Sequence, residues 1–176
     1  TARWSKARTD EVPAMEALAA RLAAAVPEGA PWGLIHNDLK YDNVVLGEDG
    51  EVRAVLDWEM ATLGDVWMDL GATLSYWVQA DDPPALQAFR MGLTHLPGNL
   101  TRAEVVARYE ALRGLSCPDV AWYYAFGLFR TAVVAQQLYA RFVGGLTKEL
   151  RYAGLLHGVR ALGARGLAVV EGREAL

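Results

Sequence analysis

The stretch GLIHNDLKYDNVVLGEDGEVRAVLDWE, residues 33–59, sets short apolar runs around a polar loop and a tight turn. GLIH reads as a short strand. NVVLGEDGEVRAVLD reads as a hairpin, because β-branched runs flank EDGE and Gly50 is free to take positive φ. Between strand and hairpin stand a histidine, two aspartates, a lysine and two asparagines, groups that are costly to desolvate where a chain turns.

Their order is His36, Asp38, Lys40 and Asn43, with Asp57 following the hairpin. Phosphoryl transfer from a metal nucleotide asks for such a set: one carboxylate to accept or orient the acceptor hydroxyl, and an amide oxygen plus a second carboxylate to hold Mg²⁺. A hairpin leaves Asn43 at the start of one strand and Asp57 at the end of its partner, so both oxygens emerge at one edge and can share a metal. Lys40, two residues past Asp38, can reach a transferring phosphate as a point charge.

Outside this segment the pattern is helical. TDEVPAMEALAARLAAAVPEG predicts a helix with Thr9 or Asp10 as N-cap. Everything after Leu63 is helical in character: Thr101 with Glu104 and Ser116 with Asp119 resemble capping boxes, a helix runs from about Pro118 to Val143 and stops at Gly144 and Gly145, and another runs from about Thr147 towards Val170. No internal repeat or low-complexity linker divides the chain. The expected fold is α+β and mainly helical, a single unit over residues 1–176 with a small β-hairpin carrying the metal site.

The 176 residues, 53% of them hydrophobic, suffice to bury a substantial core. No apolar run approaches the ~20 residues of a membrane span, and TARWSKARTD lacks the apolar centre of a secretory signal. The one cysteine, Cys117, excludes an internal disulfide and a cysteine metal cluster. A cytoplasmic location with no membrane partner is expected. Charge is uneven: residues 118–176 carry four acids and seven bases within a chain whose net charge is −4. That balance is too slight, and too mixed with apolar residues, for nucleic-acid binding.

HNDLKYDN, residues 36–43, matches the H-x-D-x-x-x-x-N catalytic loop of the kinase-like superfamily. LDWEMATLGDVWMDL, residues 56–70, resembles the metal-binding segment of aminoglycoside phosphotransferases and choline-kinase-like enzymes, and is most similar to the phosphotransferase domain fused to some acyl-CoA dehydrogenases. FRTAVVAQQLYARF, residues 129–142, resembles the helix those proteins place near the acceptor. The resemblance implies a protein-kinase-like C-terminal lobe. It makes Asp38 the catalytic base or hydroxyl-orienting residue, Asn43 and Asp57 the Mg²⁺ ligands, and His36 a brace of the catalytic loop. Asp69 would accept backbone N–H bonds from that loop, Asp65 would be structural, and Glu59 would approach metal or acceptor, or cap the next turn.

Asp57-Trp58-Glu59 stands where protein kinases have Asp-Phe-Gly, and no Ala-Pro-Glu follows, which disfavours a protein kinase. Asn37 occupies a position where small-molecule kinases usually show glycine. The chain also has no G-x-G-x-x-G strand-loop-strand and no strand lysine with a helix glutamate, so the nucleotide-covering N-terminal lobe is expected elsewhere in the same polypeptide, and these residues alone are expected to be inactive.

The expectation is an ATP- and Mg²⁺-dependent phosphotransferase acting on a small-molecule alcohol. A catalytically silent kinase-like lobe and a metal-dependent phosphohydrolase are the alternatives. Arg130, Gln137 and Arg141 recur on one helical face and pair with core acids or touch substrate. With Lys148 and Arg151 they favour an anionic or neutral acceptor, such as a hydroxyacyl chain on coenzyme A, over a polycationic aminoglycoside.

Overall fold

In the computed structural model, which describes residues 2–176, the polar loop sits between two small antiparallel ladders and a helical body. A short helix α1 (Ala2–Ala7) precedes α2 (Pro13–Ala24). Strand β1 (Trp32–Ile35) runs into the loop, and the hairpin β2 (Val44–Leu46) and β3 (Val52–Val55) follows. Strand β4 (Thr62–Asp65) pairs back on β1 in the register Trp32↔Asp65 to Ile35↔Thr62 and leads directly into α3 (Val66–Tyr76). A long connection containing the one-turn α4 (Pro84–Gln87) reaches α5 (Arg102–Arg113). The 24-residue α6 (Val120–Val143) and α7 (Leu155–Val170) complete the chain.

The hairpin turns where the sequence placed it. Gly50 has φ +80°, and its N–H reaches the Gly47 carbonyl at 2.9 Å. Val44 faces Val55, and the Leu56 N–H donates to the Asn43 carbonyl at 2.8 Å, which puts Asn43 and Asp57 at the same root of the ladder. The sequence reading needs correction elsewhere. TLGD has neither β-branched alternation nor length, yet it is strand β4, held by its pairing with β1 rather than by propensity. The hairpin strand VRAV is exposed at Val52 and Arg53 and half-buried at Ala54 and Val55. The first long helix starts at Pro13 with Val12 before it, because proline suits the first turn, and Thr9 and Asp10 lie outside it. Asp119 alone caps α6 by accepting the Trp122 N–H at 2.9 Å, so Ser116 forms no capping box, whereas Thr101 and Glu104 do. The last helix begins at Leu155, after a 3₁₀ turn over Leu150–Gly154, rather than at Thr147.

The core packs α6 against α3, α7 and α2, with Trp67, Leu74, Tyr123, Leu128 and Val159 fully buried. Gly71 of α3 and Gly127 of α6 cross almost backbone to backbone. A Cβ on Gly71 would lie 2.2 Å from the Tyr123 carbonyl oxygen, and one on Gly127 would lie 2.1 Å from the Gly71 carbonyl oxygen. This close approach lets two helices reach the same loop. No helix among the described residues is long and apolar enough to cross a membrane.

Gly71→Ala and Gly127→Ala should each lower stability by about 1–3 kcal/mol, the usual cost of overpacking a rigid contact. Gly154→Ala, where an added Cβ meets nothing within 4 Å, should leave Tm unchanged in the same thermal melts.

Candidate active site

The loop after β1 needs a left-handed residue to turn, and Asn37 takes it with φ +68°. Asparagine tolerates that region better than most residues, which accounts for its standing at this turn. Asp69, one turn into α3, accepts the backbone N–H groups of His36 and Asn37, each at 2.6 Å. From the other side, Arg130 of α6 donates to the Asn37 carbonyl at 3.1 Å and to its side-chain oxygen at 3.3 Å. The loop is therefore clamped between an acid on α3 and a base on α6.

His36 is buried, and both ring nitrogens are committed. Nε2–H donates to the Leu56 carbonyl at 2.7 Å, and Nδ1 accepts the Asp38 N–H at 3.2 Å. These partners define a neutral imidazole of one tautomer. Through Leu56 it ties the loop to the residue preceding Asp57, and the indole of Trp58 lies against it with ring centroids 4.7 Å apart.

Asp38 is the focus of the charges. Its Oδ1 accepts from the Tyr76 hydroxyl at 2.7 Å, and its Oδ2 accepts from the Lys40 ammonium and, at 3.2 Å, from Asn43 Nδ2. Burial works to raise the Asp38 pKa, but hydrogen bonds from Lys40, Tyr76 and Asn43 outweigh it and hold the carboxyl below the ordinary aspartate value. Tyr76 is shifted the other way: burial, then the adjacent Asp38 charge, raise its pKa, so it stays a donor. Lys40 also sits 5.4 Å from the centroid of the Tyr76 ring.

Asn43 is buried and donates Nδ2 to the Asp38 carbonyl at 2.8 Å, which fixes the amide and leaves Oδ1 without a protein donor among the described residues. Asp57 has φ +63°, and its exposed carboxylate likewise has no partner among them. An unpaired amide oxygen and an unpaired carboxylate at one hairpin root are the hard oxygen donors that Mg²⁺ takes alongside nucleotide phosphates, so the residues fit that ion.

Asp38 opens on a cleft of about 600 Å³ between the loop, α1, α3 and α6. Its walls are largely apolar, with Phe126, Phe129, Val133 and Leu138 from α6. Among the described residues that line it, the cations are Arg3, Lys40 and Arg130, and the one acid is Asp38. Of the residues expected near substrate, Arg130 and Gln137 line the cleft. Arg141 does not: it lies one turn beyond Gln137, exposed and past the end of the wall. Lys148, Arg151 and Glu59 are exposed outside it too. Asp65 caps α3, accepting the Trp67 N–H at 2.9 Å and the Tyr123 hydroxyl at 2.6 Å.

Two residues escaped the sequence reading. Tyr76 lies seven residues after Asp69, two turns along the same face of α3, a spacing that would have pointed to it. Arg3 carries no sequence signal, because α1 reaches the cleft only through long-range contacts. Gln136 donates to the Ala7 carbonyl at 3.0 Å, and Trp4 donates its indole N–H to Glu16 at 2.9 Å.

A family model described as the phosphotransferase enzyme family matches residues 1–111. The chain is 36% identical over 150 residues to acyl-CoA dehydrogenase family member 10 of Mus musculus, a match covering 82% of this chain and 14% of that protein. It is 29% identical over 150 residues to acyl-CoA dehydrogenase family member 11 of Homo sapiens, covering 82% and 19%. A homoserine kinase of Caulobacter sp. is 34% identical over 98 residues, covering 55% and 27%. The chain thus spans less than a third of the length of each of these relatives. In fold it is similar to a Ralstonia eutropha protein assigned to the aminoglycoside phosphotransferases, with a TM-score of 0.82, 24% identity, and coverage of 97% of this chain and 53% of that one.

Carboxyl NMR should find the Asp38 pKa below the ordinary aspartate value, and Tyr76→Phe should raise it. Because the folded-state pKa is depressed, the stability contributed by ionised Asp38 is present above the unfolded-state pKa and is lost as pH falls through the folded-state value. Acid unfolding of Tyr76→Phe should lose less of its stability over that window than the parent. In Asp69→Asn, the amides of His36 and Asn37 should exchange markedly faster while the helical core keeps its protection.

Proposed function

The chain belongs to the phosphotransferase enzyme family, and from that premise we propose that it is the helical half of an ATP- and Mg²⁺-dependent kinase acting on a small-molecule hydroxyl. The observation that carries this reading is Asp38, an ionised carboxylate gripped on both oxygens at the mouth of the cleft. In this reading Asp38 orients the acceptor O–H and takes its proton as the alcohol oxygen bonds to the γ-phosphorus and ADP leaves. Lys40, held beside Asp38, would meet the transferring phosphate as a point charge. Asn43 Oδ1 and Asp57 would hold Mg²⁺. When bound, the ion neutralises charge on the phosphate oxygens. His36, Asp69 and Arg130 hold the loop so that Asp38 need not reorganise. The nucleotide-covering lobe comes from the rest of the polypeptide.

The cleft argues for an anionic or neutral acceptor with an apolar body. An aminoglycoside is a polycation, and here it would meet Arg3, Lys40 and Arg130 with no carboxylate left unpaired. A hydroxyacyl group on an anionic carrier such as coenzyme A suits both the apolar walls and the cationic rim. The fusion of related domains to proteins named acyl-CoA dehydrogenases supports that class.

In the complete polypeptide, Asp38→Asn should reduce acceptor-dependent ADP release by about 10²-fold or more. Asp57→Asn should abolish it while leaving the melting profile intact. Wild-type rates in either variant would remove that residue from the chemistry. Arg3→Ala should raise KM for an anionic alcohol several-fold with kcat retained, and should leave a neutral alcohol unaffected.

A further inference from the structure

A second, smaller recess of about 150 Å³ adjoins the cleft, and Lys40, Tyr76 and Met91 line both. Its other walls include Leu39, Val44 and Trp77. The polar groups around it are largely turned to protein partners. Tyr41 donates to Asn99, Trp77 to the Leu100 carbonyl, Thr94 to the Val78 carbonyl, and Tyr76 and Lys40 to Asp38. What the recess presents is therefore mainly apolar surface, which gains when an apolar guest covers it.

The three shared residues are not equivalent as a partition. Tyr76 and Lys40 cannot swing aside without breaking charge-assisted bonds to Asp38, the group on which the chemistry depends. Met91 has no such tie. It is an unbranched thioether, 36% exposed, on the connection between α4 and α5, and it can change rotamer at little cost.

We propose that the recess behind Met91 receives the apolar end of the acceptor alcohol, and that Met91 sets how much chain the enzyme accepts. The proposal rests on the reading of the cleft as the acceptor site and adds a specificity-determining residue to it. An apolar chain entering the cleft with its hydroxyl at Asp38 runs along the α6 wall, and its end passes Met91 into the recess. Each methylene that enters should raise kcat/KM about fourfold until the space is filled.

The test uses straight-chain hydroxycarboxylates of increasing length as acceptors for the complete polypeptide. In the parent, kcat/KM should climb with length and then level off. Met91→Ala should move the plateau to longer chains, and Met91→Trp should move it to shorter ones. A length profile identical in all three proteins would overturn the proposal, even though phosphotransfer itself stood. A second measurement is independent of turnover: calorimetric titration with decanoate, which has no hydroxyl. It should bind the parent more tightly than hexanoate does, and Met91→Trp should erase that preference. An undiminished preference for decanoate in Met91→Trp would contradict the recess as its site, whether or not any alcohol is phosphorylated.

Discussion

Two hydrogen bonds from the backbone of His36 and Asn37 to the carboxylate of Asp69 are the constraint on which the site depends. They hold a non-glycine residue in the left-handed region, at an energetic cost of order 1–3 kcal/mol that the surrounding structure must offset. The offset comes from α3 and α6. Their crossing at Gly71 and Gly127 is close enough for Asp69 on one helix and Arg130 on the other to grip the same residue, Asn37. With Asn37 fixed, His36 points inward to tie the loop to Leu56, and Asp38 points outward to the cleft.

The electrostatics follow from that geometry. A neutral His36 adds no charge beside the Asp38 carboxylate, so the cation paired with it is Lys40. Tyr76 keeps its proton and donates it, stabilising Asp38 as an anion without neutralising it. Asp38 is thus an ionised group with limited basicity. That suits orientation of an alcohol and late proton acceptance in a loose phosphoryl-transfer transition state, where little proton abstraction is needed early. Asn43 links the loop to the hairpin: its Nδ2 donates to the Asp38 carbonyl, and its own carbonyl accepts from Leu56, the residue before Asp57.

What could be read from the sequence was what lies within one loop or one hairpin. His36, Asp38, Lys40 and Asn43 meet because they span eight residues, and Asn43 and Asp57 flank the same root of the ladder because the hairpin turns at Gly50. The kinase-like lobe followed from the motifs of that segment and its helical bulk from the periodicity around it, and that is the fold observed. What could not be read depends on contacts distant in sequence. β4 is held by its pairing with β1, and the wall formed by α1 is held by Gln136, Glu16 and the burial of Trp4. The basic residues were counted along the chain, but the cleft selects among them by helix length. Arg130 is inside, Arg141 is one turn too far, and Arg3 arrives from the other end of the molecule.

The central claim is that the clamped loop presents Asp38 to an alcohol that is anionic or neutral and apolar in body. Phosphorus NMR of the complete polypeptide with Mg²⁺-ATP, supplied in parallel with a hydroxyacyl-coenzyme A and with kanamycin, tests it most directly. The account predicts a new phosphomonoester signal on the hydroxyacyl group and none on kanamycin. A phosphomonoester formed chiefly on kanamycin, or hydrolysis of ATP to inorganic phosphate with no ester on either alcohol, would contradict it.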